Sequence, residues 1–401
     1  MPAASILIKP ASAACNMACR YCFYREIACG RAAGTLPVMS NATLEALVRE
    51  AMRYAEGQIT FAWQGGEPML AGLPFFRRAV ELQRAYARPG LRVLNTLQTN
   101  GTLIDGDWAA FLAEHGFLVG VSLDGPRKLH DAARVGRGGE GTFARTMRGI
   151  DALREHGVDF NVLTVVTERS AASPAAVYRF LTGQGFEWLQ FIPCMGELPG
   201  AGQGRGADDA GDASSWAVAP RAYGEFLCTV FDLWYADFQR GSAPDIRFFS
   251  NLAQMAAGFP PEECGMCGRC TTYFAVESDG SVYPCDFYTT DAWLLGHVDD
   301  GFGALFASER SREFMASSVP KPDACLACPW FRLCRGGCRR WRDAGRMAFG
   351  IAGAEVDPVA GEGGLGVNYL CEGYKLFFEH CAPRIARLGE VVRRNVAMGL
   401  V

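Results

Sequence analysis

Apolar positions along residues 5–194 switch repeatedly between a period of two and a period near 3.6, and this alternation predicts the fold. Short β-rich runs at Ser5–Ile8, Gln58–Trp63, Leu91–Leu97, Phe117–Leu123, Asp159–Val166 and Glu187–Ile192 predict six strands. Between the first two, Leu44, Leu47, Val48, Ala51 and Met52 fall on one helical face, with Ser40 placed to cap the helix and Gly57 to end it. Further helices are expected near 73–87, 105–115, 142–156 and 173–184. Two of them end in His-Gly, at His115-Gly116 and His156-Gly157, where glycine supplies a left-handed turn. Strands joined by helical crossovers pair in parallel, with right-handed connections. Six units fall short of the eight that close a barrel. The expected fold is therefore α/β, a partial (β/α)6 barrel whose functional loops lie at the C-terminal ends of its strands.

The pattern changes twice beyond the barrel. Residues 196–219 are rich in Gly, Ala and Asp and read as a linker or surface insertion, followed by a helix near 220–240 carrying Tyr223, Phe226, Leu227, Val230, Phe231 and Trp234. After residue 264 the composition turns cysteine-rich, with ten of the sixteen cysteines. The expected organisation is a barrel at 1–195, a linker with a connecting helix at 196–263, a cysteine-rich domain at 264–385 and a helical tail at 386–401.

Bulk properties narrow the function. With 401 residues, 49% hydrophobic and 20% charged, the chain has the composition of a soluble globular enzyme. A net charge of −4 argues against a nucleic-acid substrate, which would call for a basic face. No apolar run approaches the roughly 18 residues of a membrane span. The N-terminal apolar stretch, Ile6-Leu7-Ile8, is cut by Lys9 and Pro10 and is too short for a secretion signal, so a cytoplasmic location is expected. In that reducing compartment, sixteen cysteines point to metal rather than disulfides.

Cys15, Cys19 and Cys22 follow the first strand with the spacing C-x₃-C-x₂-C. Three thiolates on one loop can hold three irons of a 4Fe–4S cluster, which leaves the fourth iron for an exogenous ligand. A zinc site would need a fourth protein ligand. The motif resembles that of the radical S-adenosylmethionine (SAM) enzymes, in which SAM chelates the open iron and its reduction yields a 5′-deoxyadenosyl radical. That resemblance implies a place near the adenine for Tyr21 and contacts with the SAM amino group for Gly66 and Glu67, within Gln64-Gly65-Gly66-Glu67-Pro68 at the end of the second strand. Gln98 to Gly101 and Ser122 to Pro126, with Ser122 and Asp124, resemble rim segments near SAM. Arg134 would either pair with the SAM carboxylate or be a solvated surface arginine. Asn161, in an otherwise apolar strand, would contact SAM or satisfy the sheet end.

Downstream, Cys325, Cys328, Cys334 and Cys338 match the C-x₂-C-x₅-C-x₃-C run of the SPASM extension found in peptide-modifying radical SAM enzymes; two zinc ribbons are the structural alternative. Ile8 to Ser12, Cys22-Phe23-Tyr24, Cys285 to Tyr288 and Trp330 to Arg340 are similar to the anaerobic sulfatase-maturating enzymes. This resemblance covers the chain apart from 196–219 and the Gly-rich 345–366. It implies an auxiliary cluster on Cys264, Cys270, Cys285 and Cys338 and another on Cys325, Cys328, Cys334 and Cys371. With the N-terminal site, that makes three 4Fe–4S clusters. Cys267 could substitute for a neighbouring ligand, whereas Cys29, Cys194, Cys228 and Cys381 read as buried or incidental thiols.

A hairpin signal at Asp279-Gly280 would carry Cys285 and Asp286 toward the first auxiliary cluster. The resemblance implies that Asp286 takes the proton of the target side chain, with Tyr24 and Gln64, and Gln98 on the next strand, as candidates to hold the substrate. The expected activity is oxidation of a Cys or Ser of a sulfatase polypeptide to Cα-formylglycine, with electrons from a donor such as flavodoxin or ferredoxin. A maturase that crosslinks or epimerises a ribosomally made peptide shares this layout. A zinc-stabilised binding module is the alternative without catalysis.

Overall fold

The computed structural model describes residues 4–24, 38–194, 216–348 and 366–399. Strands β1 (Ala4–Ile8), β2 (Gln58–Trp63), β3 (Arg92–Thr99), β4 (Leu118–Ser122), β5 (Phe160–Val166) and β6 (Trp188–Pro193) pair in chain order, all parallel. Helices α1 (Asn41–Tyr54), α2 (Leu73–Ala85), α3 (Gly106–Glu114), α4 (Arg127–Ala133), α5 (Phe143–Glu155), α6 (Glu168–Ala171) and α7 (Pro174–Gly183) lie between them. Ser40 caps α1 by accepting the Thr43 amide at 3.0 Å. His115 and His156 end α3 and α5, and the glycines after them take φ of +59° and +65°. The short helices α4 and α6 were not expected from periodicity, which seven and four residues cannot establish.

Alternation along each strand divides the molecule into two sides. Ile6, Ile8, Ile59, Phe61, Trp63, Leu97, Val119, Val121 and Val162 are buried between sheet and helices and form the main core. Burying each such side chain contributes about 1.5–3 kcal/mol. The intervening residues face the concave side of the sheet. Toward the C-terminal strand ends they become polar, as a site requires.

The sheet extends beyond six strands at both edges. Helix α8 (Pro220–Arg240) leads to β7 (Asp245–Ile246), parallel to β6, and then to α9 (Arg247–Ala257). At the other edge β8 (Ala275–Val276) runs parallel to β1, with β9 (Ser281–Tyr283) and β10 (Gly296–His297) antiparallel beyond it. The sheet order is β10-β9-β8-β1-β2-β3-β4-β5-β6-β7. The cysteine-rich region shares the barrel's sheet, because the Asp279-Gly280 hairpin adds directly to β1. The backbone stays helical across the boundary expected at 385/386. Cys371–Ala397 is one helix, whose buried stripe Tyr374, Phe377, Phe378, Cys381, Ile385 and Leu388 packs on α8 and α9. The insertions expected at 196–219 and 345–366 fall almost wholly outside the described residues.

Candidate active site

The loop from Lys9 to Cys22 is fixed from beneath by the β2 end. Gly66 N donates to Ser12 O and Glu67 N to Ala14 O, both at 2.8 Å. A Cβ on Gly66 would stand 2.1 Å from Ala14 O, so only glycine allows the two segments to meet. The glycine pair expected to admit a ligand thus admits the cysteine loop itself. Cys15, Cys19 and Cys22 are close enough to repel one another as thiolates. Burial, reinforced by that repulsion, pushes Cys15 up to about 11 and Cys19 up to about 12. Such thiols deprotonate when a metal replaces the proton. Among the described residues no three His, Cys, Asp or Glu side chains are spaced for one metal ion, whereas a cubane spreads its thiolates over separate irons. The donor set fits a three-thiolate cluster.

Glu67 is fully buried and its carboxylate serves the protein. Oε1 accepts from Met69 N at 3.1 Å and Thr99 Oγ1 at 2.8 Å, and Oε2 accepts from Asn100 N at 2.8 Å. Burial raises its pKa to about 7 against these three bonds. Through these bonds Glu67 ties β2 to β3 and holds the loop ends beside the cysteines.

Asp124 is likewise engaged by protein groups. Its Oδ2 accepts from the Tyr21 hydroxyl and forms an ion pair with Arg134 Nε at 3.0 Å, while Oδ1 accepts from Val165 N at 2.9 Å. Arg134 is buried, not solvated, and its guanidinium lies 5.4 Å from the centre of the Tyr21 ring. Burial opposes its charge, but Asp124 raises its pKa. Beneath them His130 is fully buried; Nδ1 accepts from Asp124 N at 3.4 Å and Nε2 donates to Thr142 Oγ1 at 3.0 Å, which donates to Arg134 O at 2.8 Å. Only the neutral Nε2–H tautomer satisfies this chain, and burial lowers the His130 pKa to about 4.

Gln98, Gly120 and Asn161 are register partners across β3, β4 and β5. Gly120 makes room for two amide oxygens: a Cβ there would meet Gln98 Oε1 at 2.2 Å and Asn161 Oδ1 at 3.1 Å. Gln98 Nε2 donates to Ser122 Oγ at 3.2 Å. Asn161 Oδ1 is buried without a hydrogen-bond partner among the described residues. An orphaned acceptor on the concave face suits a ligand with donors, as the SAM amino and ribose groups are.

The second half of the site is built at the β1–β8 edge. Lys9, 1% exposed, lies 2.9 Å from Asp286 Oδ1 and 3.3 Å from Glu277 Oε1, and its Nζ donates to Thr289 Oγ1 at 3.3 Å. Burial would lower the Lys9 pKa, but Asp286 and then Glu277 raise it, so the ammonium stays charged. Asp286 Oδ2 accepts from the Tyr24 hydroxyl at 2.6 Å and from Gln64 Nε2 at 3.3 Å. Gln64 Nε2 also donates to the Tyr24 hydroxyl at 2.7 Å. Burial, then the Asp286 charge, holds the Tyr24 pKa well above the usual tyrosine range. Phe23 and Phe287, ring centres 5.2 Å apart, join the cysteine loop to the segment bearing Asp286. Sequence reasoning singled out Asp286, Tyr24 and Gln64 but missed Lys9, Glu277 and His130.

Proximity sorts the downstream cysteines into two sets. Burial, then Cys338, Cys270 and Cys267, raises Cys264 to about 12, and burial, then Cys338, Asp286 and Cys264, raises Cys285. Burial, then Cys371, Cys325 and Cys328, raises Cys334 to about 12. Cys264, Cys267, Cys270, Cys285 and Cys338 thus lie near one another, and so do Cys325, Cys328, Cys334 and Cys371. Cys267 instead directs its thiol to the carbonyls of Pro261 and Glu263, at 3.8 and 3.6 Å. Arg342, fully buried, donates to Ser318 O and Pro320 O beside Cys270 and Cys338, supplying positive charge where thiolates concentrate. Cys194 and Cys381 are buried among apolar residues, and Cys29 lies outside the described residues.

Comparison with known proteins agrees with this geometry. Residues 10–181 match the Radical SAM superfamily and residues 264–329 match SPASM, an iron-sulfur cluster-binding domain. Fold and site together are those of a radical SAM enzyme with a SPASM extension. The chain is 41% identical to the cysteine-type anaerobic sulfatase-maturating enzyme of Clostridium perfringens strain 13, over 98% of this chain and 100% of that protein. It is 34% identical to the serine-type enzyme of Bacteroides thetaiotaomicron, over 94% and 89%. The solved structure of native anSMEcpe with bound AdoMet and Cp18Cys peptide aligns with a TM-score of 0.85 at 40% identity, covering 97% of this chain and 99% of that one. The chain belongs to the anaerobic sulfatase-maturating enzymes.

Proposed function

We propose that the protein oxidises a cysteine of a sulfatase polypeptide to Cα-formylglycine, with SAM as cosubstrate, three 4Fe–4S clusters and a flavodoxin- or ferredoxin-type electron donor. A reducing, cytoplasmic setting suits its thiol-rich sites. The single observation that carries the reading is the Asp286 carboxylate, held by Lys9, Tyr24 and Gln64 immediately after the cluster thiol Cys285. Higher identity to the cysteine-type relative, 41% against 34%, favours cysteine over serine as the target.

Cys15, Cys19 and Cys22 would hold the N-terminal cluster, which when bound would supply the electron that cleaves SAM to methionine and the 5′-deoxyadenosyl radical. The chain's own residues then manage position and protons. Arg134 and Asn161 would bind SAM, with Asp124 and Tyr21 orienting Arg134. A hydrogen atom passes from the cysteine Cβ to the 5′-deoxyadenosyl radical, giving 5′-deoxyadenosine and a Cβ radical. Asp286 Oδ2 takes the thiol proton, and the remaining electron would go to the iron–sulfur group that Cys264, Cys270, Cys285 and Cys338 would hold, leaving a thioaldehyde that water converts to the aldehyde and hydrogen sulfide. A base so placed is worth roughly 10²–10⁴-fold. The test is anaerobic incubation of reconstituted protein, SAM and dithionite with a cysteine-containing sulfatase peptide. Mass spectrometry should show aldehyde in place of thiol. SAM cleavage with an unchanged peptide would refute the assignment.

A further inference from the structure

Two adjoining hollows open on the face that carries the auxiliary cysteines. The larger, of about 870 Å³, is walled on one side by the loop from Cys325 to Cys334, through Leu326, Trp330 and Phe331, and on the other by the end of α9, including Phe259. The smaller, of about 310 Å³, reaches Cys264 and shares Cys267 and Arg335 with the first. The floor is apolar and open to solvent: Phe259 is 40% exposed, Val319 55% and Leu326 58%. Large apolar side chains left bare together mark an interaction surface.

The charged side chains that line this floor are of one sign. Arg269, Lys321, Arg332 and Arg335 line the hollows, and among the described residues no aspartate or glutamate does. This cationic face stands on a chain whose net charge is −4. Apolar centre, aromatic and arginine lining and a charged rim are the anatomy of a small protein interface. Lys321 spends its ammonium on the carbonyls of Gly268, Ser318 and Val319, so the recognition charges are the arginines.

We infer that this face docks an acidic one-electron carrier protein, so that electrons pass across the walls built from the auxiliary thiol loops. The inference rests on the proposed function, which consumes one electron in cleaving SAM and releases one in forming the thioaldehyde. Weak redox encounters use small interfaces of under about 1,200 Å² steered by opposite charge, as these hollows would provide.

The test uses purified flavodoxin and the reconstituted, full-length enzyme with the exposed pair Arg269→Glu and Arg332→Glu. Calorimetry should show flavodoxin binding weakened at least tenfold, with a flatter salt dependence, while formylglycine formation driven by dithionite stays unchanged. A second variant, Leu326→Asp, should weaken binding without altering that chemical rate. Unchanged flavodoxin affinity in both variants would overturn the inference, as would self-association of the wild type through this face that excludes flavodoxin. Loss of dithionite-driven product in the wild type would instead count against the proposed function, so the two failures are distinguishable.

Discussion

Lys9, on the loop leaving the first strand, and Asp286, on the hairpin segment added at the sheet's edge, form a buried ion pair of 2.9 Å. This pair joins the barrel to the cysteine-rich region and orients the carboxylate beside the proposed substrate position. One oxygen of Asp286 faces the ammonium; the other faces Tyr24 and Gln64. Asp286→Asn is therefore expected to keep SAM cleavage and lose peptide oxidation by roughly 10²-fold or more. Quantifying 5′-deoxyadenosine and aldehyde in the same reaction checks it, and undiminished aldehyde would remove Asp286 from the mechanism.

Lys9→Met removes the ammonium that lies 2.9 Å from the buried Asp286 carboxylate. Breaking a buried pair in this way should destabilise the protein by about 3–5 kcal/mol. Chemical denaturation measures the loss, and Lys9→Arg should recover part of it. A Lys9→Met protein as stable as wild type would show that the pair contributes nothing to the fold.

Gly66→Ala places a methyl group 2.1 Å from Ala14 O and must displace the cysteine loop. Reconstituted variant should lose roughly four of about twelve irons and its SAM cleavage, while the auxiliary clusters remain. Full iron content with normal turnover would contradict the packing described for this glycine.

His130 gives a pH signature. Burial lowers its pKa from 6.5 to about 4, so between those values the unfolded chain binds the proton that the folded chain refuses. Its contribution to stability is complete above pH 6.5 and is lost as pH falls toward 4, up to about 3 kcal/mol. In urea titrations His130→Gln should be less stable than wild type at neutral pH, with the gap closing as pH falls through this window. A constant gap would mean that His130 is not held neutral.

Strands, crossover helices and the thiol motifs were legible in the sequence because each rests on a local period or spacing. The β3 run extended two residues past the expected end, to Thr99, which set Gln98 within the strand beside Gly120. The joining of β8 to β1 was not legible, since a two-residue strand carries no periodic signal. Lys9 read as a break in an apolar run and as part of the Ile8–Ser12 resemblance, not as a buried charge. Its burial depends on Asp286 and Glu277 arriving from the far end of the chain, although a lysine between Ile8 and Pro10 was itself a cue, because a charge so placed needs partners. Glu67 and Asp124 were recognised as site residues, but their engagement with protein donors is a matter of three-dimensional geometry.

The central claim is that a radical generated at the three-thiol site takes hydrogen from a cysteine Cβ beside Asp286. A peptide deuterated at that carbon, incubated anaerobically with reconstituted enzyme, SAM and reductant, tests it most directly. Deuterium should appear in 5′-deoxyadenosine in amounts that match the formylglycine produced. Unlabelled 5′-deoxyadenosine accompanying the same product would contradict the account.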